Sequence, residues 1–386
     1  MDAQYPRSIW QVTHDGRRKK PVYAAVMIIN MPSREPYEIG VSGSRFVEAD
    51  ESTVELPDTS DLWALPGLAD CHAHVTMTSL REFDAITDES MRTAIPINTW
   101  AHLEHGVLLI LDKGGKSDTT LVTLDHDADL RPFTETAGAM ISPPGGYYGN
   151  GFGTEVEPDA LVEHIRTKAA TRGGWVKLVG DWPRRGQGPV NNWPQDVLTE
   201  AVRAVHDAGA RVAIHSMAHS ASDAVAAGVD SIEHGPFLTE SDLKILAARG
   251  GAWVPTIVNM LFLRDMLGVE SSGGKMFVTG LERMRENLPL AESLGVTVLA
   301  GTDMAVPHGE VATEAVLLKE YGLSDAAATA ATSTAAYRYV GRPTQPTVGA
   351  EADVVFFRDN PLEGVETLAE PVIIMRRGKI VRSTRG

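Results

Sequence analysis

A chain of 386 residues with 43% hydrophobic and 22% charged residues has room for a large core plus a smaller second domain, and its balance is that of a globular protein. The formal net charge of −16 offers no basic field to phosphates and argues against a nucleic-acid partner. Cys71, the one cysteine, excludes an intrachain disulfide and suits a reducing compartment, while the longest apolar stretches, such as 22–29, are too short to span a bilayer. Residues 1–20 are polar and charged, without the apolar core of a secretory signal. We expect a cytoplasmic protein with no membrane partner, a homo-oligomer acting on a small-molecule substrate.

Taken in chain order, residues 22–65 carry short β-like runs at 22–29, 37–41, 46–47 and 53–56, separated by Pro, Gly, Asn, Asp and Ser as turns require. From 65–75 onward the character changes. Apolar strand-like runs at 106–111, 120–124, 175–179, 211–215, 231–234, 252–256 and 296–303 alternate with helical segments such as 195–208 and 241–248. About eight apolar strands alternating with helices over roughly 280 residues predict a parallel sheet covered on both sides, and a (β/α)8 TIM barrel fits that size; an open doubly wound sheet is the alternative. Residues 324–340 predict a helix capped by Ser324. After Gly341 the pattern is β again at 352–357, 371–375 and 377–381. The two ends of the chain are expected to pair into one β-domain, residues 1–65 with 344–386, around an inserted barrel of residues 66–343.

In a parallel barrel the chemistry gathers at the carboxyl ends of the strands. His72 and His74 end the first run, and period-two alternation puts both imidazoles on one face with Cys71 turned away as a small buried residue. Lys177 lies within the run 175–179, His215 ends 211–215, His234 ends 231–234 and Asp303 ends 296–303. Burying each alone would cost several kcal/mol, roughly 2–7 for a polar group without a partner; one shared metal site gives all six a common partner.

These residues carry a resemblance. Pro66-Gly67-Leu68-Ala69-Asp70-Cys71-His72-Ala73-His74, Trp175-Val176-Lys177, Val212-Ala213-Ile214-His215, the run Gly228 to Gly235, Gly301-Thr302-Asp303 and the run Gly349 to Val355 stand in the order of the amidohydrolase superfamily, and the chain resembles its imidazolonepropionase-like and prolidase-type branch over nearly its whole length. The resemblance implies a barrel flanked by a β-sandwich. It implies that His72, His74 and Asp303 hold one metal and His215 and His234 a second, bridged by Lys177 after carboxylation by CO2. A carbamate suits that place because a lysine ammonium has no lone pair to give a cation. Two zinc ions are expected, with manganese or iron tolerated by the same donors. The implied reaction is cleavage of an amide or cyclic amide C–N bond by a metal-activated hydroxide, with Asp303 as general base and then acid. The alternatives are a dipeptidase or N-acyl amino acid hydrolase of prolidase type, or a lactone or phosphoester hydrolase on the same site.

The substrate side departs from that branch. The loop reads Pro143-Pro144-Gly145-Gly146-Tyr147-Tyr148, where the branch often has a histidine after Gly-Gly, and Met217 stands where it often has a second histidine. Tyr147 and Tyr148 are candidates to hydrogen-bond substrate, Arg184 or Arg185 to clamp a substrate carboxylate, and His308 to face substrate or brace its loop. His14, His102, His105, His126, His164 and His206 end no strand and read as surface or packing residues.

Overall fold

The computed structural model describes residues 23–24, 26–32, 34–79, 85–148, 152–168, 173–184 and 186–385, so His14 and Arg185 lie outside the described residues. Strands β1 (Met27–Ile29), β2 (Tyr37–Ser42) and β3 (Arg45–Val47) form an antiparallel sheet in that order. After β4 (Trp63–Leu65) the chain enters its parallel strands: β5 (Leu68–Ala73), β6 (Val107–Asp112), β7 (Phe133–Thr136), β8 (Trp175–Val179), β9 (Arg211–Ser216), β10 (Ser231–His234), β11 (Ala252–Val254) and β12 (Thr297–Val298). Strands β5 to β7 pair in parallel, as do β8 to β12, with the short strands Ile141–Ser142 and Thr154–Glu155 added outside β8. The chain closes with β13 (Val354–Phe357), β14 (Ile373–Arg376) and β15 (Lys379–Ser383), an antiparallel sheet in which β4 is the strand beside β13. The fold is therefore α/β with parallel sheets, and antiparallel strands come from both ends of the chain.

The two parallel sheets are joined on both sides. Thr136 of β7 bridges in parallel to Gly174, just before β8, and its N–H donates to Gly173 at 3.1 Å. On the other side the segment beyond β12 runs beside β5: Cys71 N–H donates to the Ala300 carbonyl and Asp303 N–H to the His72 carbonyl, both at 2.8 Å. Gly301 permits this approach, because a Cβ there would stand 2.5 Å from His72 Cβ and 2.8 Å from its backbone nitrogen.

Apart from alternate residues of β7 and the first residues of β9 and β12 the parallel strands are buried, and apolar residues such as Leu108, Ile110, Val176, Leu178, Val212 and Ile214 pack with helix residues such as Leu198, Val202 and Leu243 in the main core. That is the expected consequence of strands covered by helices. A separate core joins Met27, Ile29, Val41 and Phe46 to Val354, Phe356, Ile373 and Met375, so both ends of the chain share one apolar interior. Among the described residues no helix is long and apolar enough to cross a membrane.

Four local expectations are corrected. Residues 120–124 form no strand; they lie in a 3-10 helix, Asp118–Asp125. The Ser117 hydroxyl accepts from Thr119 N–H and Thr120 Oγ1 donates to the Ser117 carbonyl, so local side-chain bonds override the β-branched propensity. The third parallel strand is Phe133–Thr136, too short and polar to stand out. Residues 324–340 make two helices, Asp325–Ala331 and Thr334–Tyr339, although Ser324 does cap the first through Ala327 N–H. At 53–56 only Leu56–Pro57 is extended strand. Finally, β5 carries a register irregularity between Asp70 and Ala73, so simple alternation does not place Cys71. Cys71 is fully buried among Ala69, Leu109, Leu111, Ala213 and Val254, in keeping with the packing role expected of it.

Candidate metal centre

Beyond its irregularity, β5 delivers His72 and His74 toward one carboxylate. His72 Nε2 lies 3.4 Å and His74 Nε2 3.1 Å from Asp303 Oδ1. His234 Nε2 stands 3.9 Å from Asp303 Oδ2 and 3.0 Å from His215 Nδ1. Buried Asp70 locks the two contributing segments together: it accepts from His72 N–H at 3.1 Å, Thr302 N–H at 3.2 Å and the Thr302 hydroxyl at 2.6 Å. His234, Thr256, Asp303 and Met304 all take left-handed backbone, with φ between 49° and 65°. Each such non-glycine residue costs about 1–3 kcal/mol, and here they cluster where strands end and side chains converge.

The distal ring nitrogens have partners of their own, which orients each imidazole. His74 Nδ1 is 2.6 Å from the Gly114 carbonyl, and His234 Nδ1 is 2.6 Å from Thr256 Oγ1. His72 Nδ1 lies 2.7 Å from Glu233 Oε2, a bent contact short of hydrogen-bond alignment. Asp303 Oδ2 accepts from Asn259 Nδ2 at 2.5 Å.

Burial dominates the electrostatics. It pulls His72 and His234 well below the usual imidazole range and His215 down to about 3, helped for His72 and His215 by the nearby Lys177 charge. His74 is the exception: burial lowers it, but its bond to Asp303 and the charges of Asp303 and Asp112 raise it overall. Burial also lowers Lys177 to about 8, Glu233 pulling the other way. Glu233 is pushed up by its own burial, yet the Lys113 and Lys177 charges bring it below the usual carboxylate range.

These residues fit a divalent cation. His72, His234 and Asp303 offer ligand atoms within 4.8 Å of one another. Three of the four imidazoles are held in the neutral, ligating form. Buried His215 Nε2 and Lys177 Nζ have no hydrogen-bond partner in the structure, and orphaned buried donors call for one.

The other sequence candidates fall in two places. Tyr147 packs against His215, with ring centroids 5.7 Å apart, and against Tyr148 at 4.9 Å. Arg184 ends the strand Asp181–Arg184 and donates to Asn192 Oδ1 at 3.4 Å. His308 is buried, its Nε2 2.7 Å from the Met77 carbonyl and its Nδ1 3.1 Å from His102 Nε2, so both ring nitrogens are engaged in holding its loop. Sequence reasoning missed Asn259, Glu233, Lys113 and Trp182. Glu233 carried a signal, because it immediately precedes His234 in a strand-end motif; Asn259 carried none.

Residues 63–381 match the amidohydrolase family. The uncharacterized protein Rv2915c of Mycobacterium tuberculosis is 33% identical over 329 residues, covering 82% of this chain and 85% of that protein. Among solved structures, a Xaa-Pro dipeptidase with bound methionine superposes with a TM-score of 0.76 at 20% identity, over 93% of this chain and 98% of that one. The ochratoxinase of A. niger does so with a TM-score of 0.76 at 19% identity, over 93% and 96%. At such identities the structural likeness is one of fold. The match over most of the chain settles the family: this protein belongs to the amidohydrolases, and it is an enzyme, a hydrolase acting on carbon–nitrogen bonds.

Proposed function

We propose that this chain is a metal-dependent hydrolase of amide or cyclic amide bonds, built as a (β/α)8 barrel of residues 66–343 with a β-sandwich of residues 1–65 and 344–386. The hydrogen bonds from Cys71 to Ala300 and from Thr136 to Gly173 support the closed barrel, and the core shared by Met27 and Met375 supports the composite second domain. His72, His74 and Asp303 would hold one divalent ion, and His215 and His234 a second, bridged by the carbamate that Lys177 forms with CO2. Zinc is the expected metal, and manganese or iron suits the same donors. Bound there, the metal supplies a Lewis acid and lowers the pKa of water toward neutrality.

The remaining work falls to side chains. Asp303 takes the proton of the attacking water and returns it to the leaving nitrogen. Asn259 fixes Oδ2 of that carboxylate, which leaves Oδ1 directed toward His72 and His74. Tyr147 and Tyr148 border the substrate. A dipeptidase reading draws on the fold likeness to a Xaa-Pro dipeptidase; in it Arg184, whose Nε is buried without a partner, would meet a substrate carboxylate.

The observation that carries the proposal is the convergence of His72, His74 and His234 on Asp303 within 3.9 Å, with the unpartnered Lys177 amine buried beside them. The test is reconstitution: chelated protein should hydrolyse no member of an amide, dipeptide and lactone panel, and zinc or manganese should restore turnover at about two ions per chain. Metal-independent turnover, or none with metal on any amide, would overturn it.

A further inference from the structure

Two segments far apart in the chain build an aromatic surface against the metal centre. Trp182 comes from the hairpin of Asp181–Arg184 with Gly188–Asn191, where it is paired with Val190. Tyr147 and Tyr148 come from the loop after Ile141–Ser142. The rings meet edge to face or tilted: Tyr147 to Trp182 at 4.6 Å, Tyr148 to Trp182 at 4.7 Å, with Phe152 behind at 5.9 Å from Tyr147 and 6.3 Å from Tyr148. Such offsets are the favourable geometry for aromatic pairs. The surface reaches the site itself, because Trp182 lies 5.9 Å from the His215 ring and Tyr147 5.7 Å.

The arrangement is held in place. Asn192 Nδ2 donates to the carbonyls of Gly146 at 2.8 Å and Val179 at 2.9 Å, tying the tyrosine loop to the end of β8. Asp181 accepts from the N–H groups of Met217, Ala218 and Ser220, which fixes the base of the hairpin against the segment after His215. Behind Tyr147 sit Met77, Met140, Phe152 and Met304, an apolar backing with adaptable thioethers. The front stays open: Tyr148 is 37% exposed, and Tyr147 and Trp182 are half-buried.

An open, uncharged aromatic face beside a polar reaction centre favours one kind of ligand. A saturated group laid on these rings gains only dispersion contacts, whereas a flat ring adds stacked or edge-to-face contacts. Resting on the hydrolase reading above, we infer that Trp182, Tyr147 and Tyr148 recognise a planar aromatic ring next to the scissile amide, so that the substrate class is aryl amides: anilides or amides of aromatic acids. Trp182 is the specificity-determining residue.

The test compares benzamides and anilides with their cyclohexyl analogues on the metal-loaded full-length protein, using wild type, Trp182→Ala and Trp182→Phe. The wild type should favour the aryl member by roughly fivefold to tenfold in kcat/KM. Trp182→Ala should erase that ratio and Trp182→Phe should keep most of it. Calorimetric binding of benzoate against cyclohexanecarboxylate reads the same wall without turnover. Equal values for aryl and cyclohexyl ligands in the wild type, or a preference unmoved by Trp182→Ala, would overturn the inference. Were no amide hydrolysed at all, the hydrolase reading would fall, and the binding comparison would still decide the aromatic wall.

Discussion

Glu233 Oε2 stands 2.7 Å from His72 Nδ1, and the other oxygen of that carboxylate pairs with Lys113 at 3.0 Å and accepts from the Ser231 hydroxyl at 2.6 Å. All of this is buried. A carboxylate this close to one imidazole nitrogen favours the proton there by charge even without hydrogen-bond alignment, so in the proposed metal centre Glu233 would leave His72 Nε2 free to ligate. Glu233→Gln should therefore weaken zinc binding by about 10–100-fold, read by competition with a chromophoric chelator. Unchanged affinity would remove Glu233 from the centre.

Lys113 neutralises that buried carboxylate. Lys113→Met removes the ion pair that Glu233 makes and leaves only the Lys177 charge to offset it, which should destabilise the protein by up to about 3–5 kcal/mol. Urea denaturation at neutral pH measures it, and a loss below 1 kcal/mol, about the worth of an exposed pair, would mean that the pair is not working as a buried one.

Asp303→Asn keeps a carbonyl oxygen near His72 and His74 but removes the carboxylate proposed above as the proton acceptor. Turnover should fall by about 10²–10⁴-fold while zinc content, measured by mass spectrometry of the metal, changes little. Retained wild-type rates would refute the general-base role.

Gly301→Ala drives a methyl group to within 2.5 Å of His72 Cβ and 2.7 Å of Val254 Cγ1, and both residues are buried. The cost should be about 1–3 kcal/mol with weakened zinc binding, seen as a lowered melting temperature that added zinc only partly restores.

Glu314 is buried and its carboxylate accepts from Ile257 N–H at 2.8 Å and Val258 N–H at 2.9 Å; burial raises its pKa to about 8. The folded state holds the proton more tightly than the unfolded state. Its contribution is therefore complete below the ordinary carboxylate range and is lost as pH rises toward 8. Over that window stability should decline by up to about 1.4 kcal/mol per pH unit from this group, and Glu314→Gln should flatten the profile of urea midpoints against pH. An identical slope in the variant would contradict this.

The sequence made the strand-end residues readable because metal-capable side chains closed apolar runs, a pairing that buried polar groups rarely show without cause. The structure brings His72, His74 and His234 to within 3.9 Å of Asp303. What stayed hidden depended on contacts between distant segments. Asn259 reaches Asp303 across 44 positions, Lys113 meets Glu233 across the sheet, and Trp182 finds Tyr147 only once the hairpin and loop are packed. The strand Phe133–Thr136 was illegible for another reason: four residues with two threonines and a glutamate carry too little pattern to outweigh the β-branched run before them.

The apolar interior that Met27, Ile29 and Phe46 share with Val354, Phe356 and Met375 has a temporal consequence. Tyr37 donates to the Pro346 carbonyl across 309 positions, so early strands have nothing to close against until nearly all of the polypeptide has left the ribosome. Closing so wide a span carries an entropic toll that only the finished sheet repays. During synthesis these strands must wait with greasy faces uncovered, a window in which a chaperone, or a neighbouring nascent copy, would find them first.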